Sequence, residues 1–240
     1  MNKLIIGLVL AVFVLSTASI GVAADNKPDN VPSDIQKITF IHYAKSADNS
    51  RTEWDDEVEM YKLLPAKVRW YKTVEYEIYV EDSGLGTGEA FSAIKDSLKP
   101  WNDAIGFKLL SAEKGTEKSA PTTTAQVRDE KNVVMWSDLG PTGPGTIIAM
   151  NTFWFYTSTG EIVESDVQLN SNIEWGTNGE KTKMDVQNIA THEFGHNGLN
   201  DLYITKCTEL TMYGYSAVGE TKKRTLGLGD ILGIKALYGE

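Results

Sequence analysis

The sequence predicts an α/β layer domain. Three observations predict it: a strand-like alternation at residues 74–80, a helical stripe directly after it, and several short strand patterns that follow before a second helical pattern. In the first, Val74, Tyr76, Ile78 and Val80 alternate with Glu75, Glu77, Tyr79 and Glu81, as a strand with one buried face requires. Gly84, Gly86 and Gly88 then break it. Phe91, Ile94, Leu98 and Trp101 recur at spacings of three, four and three, so they share one face of a helix lying on the sheet, which Pro100 is expected to help end. Further short strands are expected at residues 107–110, 133–136, 146–150 and 163–169, separated by loops such as Gly140-Pro141-Thr142-Gly143-Pro144-Gly145. The next helix is expected over residues 185–197, with Asp185 as N-cap, Val186, Ile189, Ala190 and Phe194 as its buried stripe, and Gly198 as its stop. A last helix begins near Asp230, read as another N-cap, and turns Ile231, Ile234 and Leu237 inward before Gly239.

The 240 residues allow one sizeable core with a small appendage. With 41% hydrophobic and 10% aromatic residues the chain reads as globular, and a net charge of -10 excludes nucleic acid as a partner because backbone phosphates would be repelled. Lys3, the apolar run at residues 4–15 and the small residues Val22-Ala23-Ala24 predict a signal peptide cleaved after Ala24, and hence a secreted, extracellular protein. The rival reading is an uncleaved anchor, since residues 4–24 carry no charge. Residues 25–68 read as a linker or pro-region: residues 25–34 are polar with Pro28 and Pro32, residues 38–43 look like a strand, and residues 53–59 are acidic. Cys207 stands alone, so no intramolecular disulfide can form; it is either buried structure or a reactive thiol.

His192-Glu193-Phe194-Gly195-His196 carries the chemistry. Residues four apart lie on one helix face, so both imidazoles can grip one ion of tetrahedral preference, and Glu193 is offset to reach a water on that ion without taking a coordination position. Two of only three histidines fall in this register. The third, His42, reads as an ordinary strand residue.

The continuation Asn197-Gly198-Leu199-Asn200-Asp201-Leu202-Tyr203 resembles the metzincin zinc peptidases, whose extended motif adds a glycine turn and a third ligand, His or sometimes Asp. In that family the glycine and ligand stand three and six residues after the second histidine; here Gly198 and Asp201 stand two and five after. The resemblance implies Asp201 as the third ligand, with Asn200 as the alternative. Thr211-Met212-Tyr213-Gly214-Tyr215 resembles the Met-turn, with Met212 beneath the histidine ligands and Tyr213 lining the substrate pocket; with Gly214 two residues after Met212, no tyrosine ligand is implied. Followed by residues 228–239, this pattern is similar to the matrixin branch, and the likeness extends upstream to about Tyr71.

That likeness implies a metzincin-like zincin domain over residues 69–240: a twisted, mostly parallel sheet with an antiparallel edge strand, an active-site helix and a C-terminal helix. The edge strand is where an extended peptide pairs; Thr146, Ile147, Ile148 and Ala149 are its candidates, as main-chain pairing gives affinity and side-chain pockets give preference. Asp166 falls on the next strand, read as a solvated acidic face or, less simply, a calcium ligand. Matrixins often silence themselves with a pro-region cysteine on the zinc; with no cysteine before Cys207, this chain lacks that device. The function implied is a zinc endopeptidase, with Zn2+ as cofactor, Ca2+ as an open possibility, a protein or peptide substrate and a monomeric state. The alternative is an exported zinc-binding or adhesion protein on an inactive peptidase fold.

Overall fold

The strand expected at residue 74 forms the second strand from one edge of a seven-stranded sheet. The computed structural model describes residues 32–45, 58–114 and 127–239; the signal peptide, its cleavage point after Ala24 and most of the acidic stretch at 53–59 lie outside the described residues. Its strands are β1 (Ile35–Ala44), β2 (Val74–Tyr79), β3 (Leu110–Lys114), β4 (Val133–Ser137), β5 (Ile147–Tyr156), β6 (Ile162–Asn170) and, after a small two-stranded pair of β7 (Trp175–Gly176) with β8 (Met184–Asp185), β9 (Tyr215–Ser216). Three α-helices accompany them among the described residues: α1 (Thr87–Ile105), α2 (Val186–Gly195) and α3 (Leu228–Tyr238).

The sheet runs in the order β3-β2-β4-β6-β5-β1-β9. The pairs β2–β3, β2–β4, β4–β6 and β1–β9 are parallel, while β5 is antiparallel to β6 and to β1. The α/β class and the mostly parallel sheet are thus as expected. The antiparallel strand is β5, but it does not lie at the edge: β1 pairs on its outer side, over a register from Ile35↔Tyr156 to Tyr43↔Ile147, and β9 lies beyond β1.

Local chemistry moves several boundaries. Residues 107–109 do not join β3, because Asn102 captures that turn: its Oδ1 accepts from the N–H groups of Leu109 and Leu110, at 2.9 Å each, and Phe107 stays exposed. Pro100 does not end α1, which continues to Ile105. The N–H that proline lacks is offset by Trp101, fully buried with its indole donating to the Thr191 carbonyl of α2 at 2.8 Å. The stop is Gly106, left-handed at φ 78°, a conformation that glycine adopts without a Cβ penalty. Asp230 is not the N-cap of α3; the helix starts at Leu228 after Gly227, and Asp230 sits one turn in.

Helix α2 is capped as expected, Asp185 accepting from Asn188 N–H at 2.9 Å. It is buried on all sides except at Gln187, rather than along one stripe. Polar groups in such a helix must find partners or be held for a ligand. Asp166 is likewise no solvated face: it is buried in β6 and accepts from Val133 N–H at 3.1 Å, while its neighbour Glu164 accepts from the backbone of Asp129 and Glu130. These carboxylates serve backbone amides, and nothing in their arrangement points to calcium. Cys207 is buried, its thiol 3.5 Å from Met60 Sδ. No helix among the described residues is long and apolar enough to cross a membrane.

Candidate metal centre

Helix geometry places His192 and His196 one turn apart, their ring centroids separated by 5.0 Å and nearly perpendicular. Each ring is oriented through Nδ1: His192 toward the Thr211 carbonyl at 2.7 Å, and His196 toward the Leu199 carbonyl at 3.1 Å. A carbonyl can only accept, so Nδ1 carries the proton in both rings and each Nε2 presents a lone pair. Both point at Asp201, whose Oδ1 stands 3.2 Å from His192 Nε2 and 3.7 Å from His196 Nε2.

The turn after α2 delivers Asp201 despite the shortened spacing. The helix ends at Gly195, and Leu199 N–H returns to the Gly195 carbonyl at 2.9 Å, which folds residues 196–199 back under the helix. Asn197 pins this turn: Tyr76 donates to its Oδ1, its Nδ2 donates to the Phe194 carbonyl, and Tyr238 donates to its own carbonyl. Gly198 is required by packing, since a Cβ there would lie 2.3 Å from Leu237 Cδ1. Asp201, not Asn200, joins the histidines; Asn200 spends its N–H on the Lys62 carbonyl. Tyr203 donates to Asp201 Oδ2 at 3.1 Å, leaving Oδ1 toward the imidazoles.

Burial sets the electrostatics. It lowers the imidazoles of His192 and His196, the latter to about 4, so both are neutral at physiological pH. Burial alone would raise Asp201, yet the neighbouring His196 and His192 draw it down to about 2, so it is ionised. Burial, with the charge of Asp201, pushes Glu193 well above the ordinary carboxylate range. Among the buried side-chain atoms without a hydrogen bond are His192 Nε2, Glu193 Oε2 and Asp201 Oδ1. Leaving such atoms unpaired costs about 1–3 kcal/mol each. Their donor set, two neutral imidazoles and a carboxylate whose ligand atoms lie within 4.8 Å of one another, fits a zinc ion.

The Met-turn lies against this helix. Met212 Sδ packs so close to Gly195 that a Cβ on the glycine would meet it at 2.1 Å. Tyr213 is mostly buried beside Tyr215. On β5, Ile148 and Ala149 are buried and Ile147 pairs with Tyr43, while just before it the Thr146 carbonyl accepts from Ala44 N–H.

Sequence reasoning missed four residues here. His42 is not an ordinary strand residue: its Nδ1 lies 3.0 Å from Glu193 Oε1 and its ring 4.0 Å from that of His192. A period-two reading pairing it with Phe40 would have set both on one face. Lys223 is fully buried, donates to the Tyr213 carbonyl and lies 3.5 Å from His42 Nε2; burial lowers it to about 8. Asn151 donates from Nδ2 to the Glu193 carbonyl at 3.0 Å, tying β5 to α2. Asp230 accepts from Thr211, Met212 and Gly227 N–H groups. Gly227 is a local partner of the aspartate at the start of α3, but nothing local to the lysine, asparagine or aspartate marks the distant ones.

This sheet, with two anchored imidazoles on a buried helix and a methionine turn against its end, defines a metzincin-type zincin. The Matrixin family model, Peptidase_M10, matches residues 69–239, and the chain belongs to that family. No curated protein matches it. Among solved structures it is similar to metalloproteinase-II from Bacteroides fragilis, at 13% identity and a TM-score of 0.35; the match covers 75% of this chain and 59% of that one.

Proposed function

We propose that this protein is a secreted zinc-dependent endopeptidase, with His192, His196 and Asp201 as metal ligands and Glu193 as general base and acid. The observation that carries the reading is the set of unpaired, inward-facing atoms at the helix end, with both Nδ1 atoms already committed to carbonyls. Zinc held there would polarise a scissile carbonyl and acidify a water. Glu193, raised by burial, takes a proton from the attacking water and delivers it to the leaving nitrogen. Thr146, Ile147, Ile148 and Ala149 would line the path of an extended peptide, with Tyr213 at the reacting bond and Met212 as the floor under the helix. Export with removal of residues 1–24 belongs to the same reading, supported by Lys3 and the apolar run after it.

Glu193→Gln tests the mechanism. The variant is expected to keep stoichiometric zinc and lose about 10²–10⁴-fold in turnover of gelatin or casein. Near-normal cleavage by the variant, or wild-type cleavage untouched by a chelator, would discard it. Zinc without any hydrolysis would favour a binding or adhesion protein instead.

A further inference from the structure

Leu202 is stitched to the Met-turn from both sides. Its N–H donates to the Met212 carbonyl at 2.9 Å, its carbonyl accepts from Gly214 N–H at 2.9 Å, and it forms a parallel β-bridge with Tyr213. Residues two apart on extended chain share a face, so Asp201 and Tyr203, which flank Leu202, stand on one side. There the Tyr203 hydroxyl donates to Asp201 Oδ2 at 3.1 Å. The ring that carries this hydroxyl is seated by its neighbours. A Cβ on Gly214 would lie 2.4 Å from Tyr203 Cε1 and 2.8 Å from its Cζ, and the Tyr215 ring meets it edge-on with centroids 5.4 Å apart. Gly214, at which the sequence implies no tyrosine ligand, is thus the seat of a tyrosine that reaches a metal ligand from another segment.

The two oxygens of Asp201 are therefore unequal. Oδ1 faces both imidazoles, at 3.2 Å from His192 Nε2 and 3.7 Å from His196 Nε2, and it is buried without a hydrogen bond, whereas Oδ2 is already held. A hydrolytic zinc site keeps three protein ligands and one position for water. A carboxylate bound through both oxygens would compete for that position. It also neutralises one positive charge of the ion, where an imidazole neutralises none, and so leaves less charge to acidify the water. A hydrogen bond to the second oxygen opposes both effects, because it occupies that oxygen and draws its negative charge away from the ion.

We propose that Tyr203 is a positioning residue of this centre: its hydroxyl reserves Asp201 Oδ2, so that Asp201 binds the metal through Oδ1 alone and a position stays open for the reacting water. The proposal rests on the zinc endopeptidase reading for the metal and its three ligands. It assigns Tyr203 no contact with the ion or with the substrate; the phenol acts only through the carboxylate it holds.

Tyr203→Phe tests it, since the variant loses the hydroxyl and keeps the ring that fills the space over Gly214. Tyr215→Phe, which removes a neighbouring phenol instead, is the control. Visible absorption is recorded on the full-length protein with cobalt(II) in place of zinc, zinc affinity is measured by competition with a chromophoric chelator, and gelatin turnover is followed separately. In Tyr203→Phe the released Oδ2 is expected to join the ion: the cobalt band weakens as coordination expands, zinc is held at least as tightly as in wild type, and turnover falls about 10–100-fold. Tyr215→Phe should match wild type in all three. A phenol that merely steadied the ligand would give the reverse, a looser zinc under an unchanged band. An unchanged band in Tyr203→Phe, zinc held about tenfold or more weakly, undiminished turnover, or the same changes in Tyr215→Phe overturns the proposal. A wild type that binds zinc and cleaves nothing sinks the endopeptidase reading, and the band and the zinc affinity then decide the role of Tyr203 by themselves. A wild type that takes up neither metal overturns both.

Discussion

Asp230→Asn should damage the metal centre without touching a ligand. The carboxylate is buried, and its Oδ2 accepts from Thr211 N–H at 2.7 Å and Gly227 N–H at 3.0 Å, while Oδ1 accepts from Met212 N–H at 3.1 Å. An amide keeps one accepting oxygen. Turned toward Thr211 and Gly227, it sets its NH₂ against Met212 N–H, donor facing donor. Hydrogen bonds to a charged group contribute about 1.5–3 kcal/mol and neutral ones about 0.5–1.5, so losing one and weakening two should cost about 2–5 kcal/mol. The effect would reach a bound zinc because the Thr211 carbonyl orients His192 through Nδ1. Displacing such a partner of a ligating imidazole costs about 10–100-fold in metal affinity. Urea denaturation of the metal-free protein gives the first quantity, and competition with a chromophoric chelator gives the second. Asp103→Asn, at an exposed pair with Lys99, is the control. If Asp230→Asn matches that control in both measurements, the chain from α3 through the Met-turn to His192 is not what holds the ring.

Other expectations rest on packing and on burial. Gly195→Ala gains helix propensity, yet its Cβ would lie 2.1 Å from Met212 Sδ and 2.7 Å from Trp101 Cζ2, and the indole is fixed by its bond to Thr191; a net loss of about 1–3 kcal/mol in denaturant is expected, and a variant as stable as wild type would show that the Met-turn can yield. Burial, helped by the charge of Glu164, pushes Asp166 up to about 8, so the folded state keeps a proton there that the unfolded chain releases near about pH 4. Its contribution to stability is therefore present at acid pH and is lost as pH rises between about 4 and about 8. The stability gap between wild type and Asp166→Asn should shift against wild type by about 2 kcal/mol from about pH 5.5 to about pH 7.5. A gap that stays constant across that range means that Asp166 is already ionised in the fold.

What could be read from the sequence was what is local. The register of His192 and His196 follows from helix geometry over five residues, and Asp185 caps that helix because a carboxylate there meets a free N–H three residues on. The alternation at residues 74–80 marks β2 because period two is a property of the strand itself. Boundaries failed where a side chain outside the strand pattern or a single buried ring decided them, as with Asn102 before β3 and Trp101 beyond Pro100. The centre divided along the same line. Asp201 was reachable from the motif, whereas Lys223 and Asp230 act on backbone that nothing in their own neighbourhood identifies. His42 shows why most clearly: it stands 151 residues from Glu193 with β2 to β6 between them, and only the order in which β6, β5 and β1 stack side by side brings the two together. A residue's role at this centre is set by strand order, which is a property of the assembled sheet and of no window along the chain.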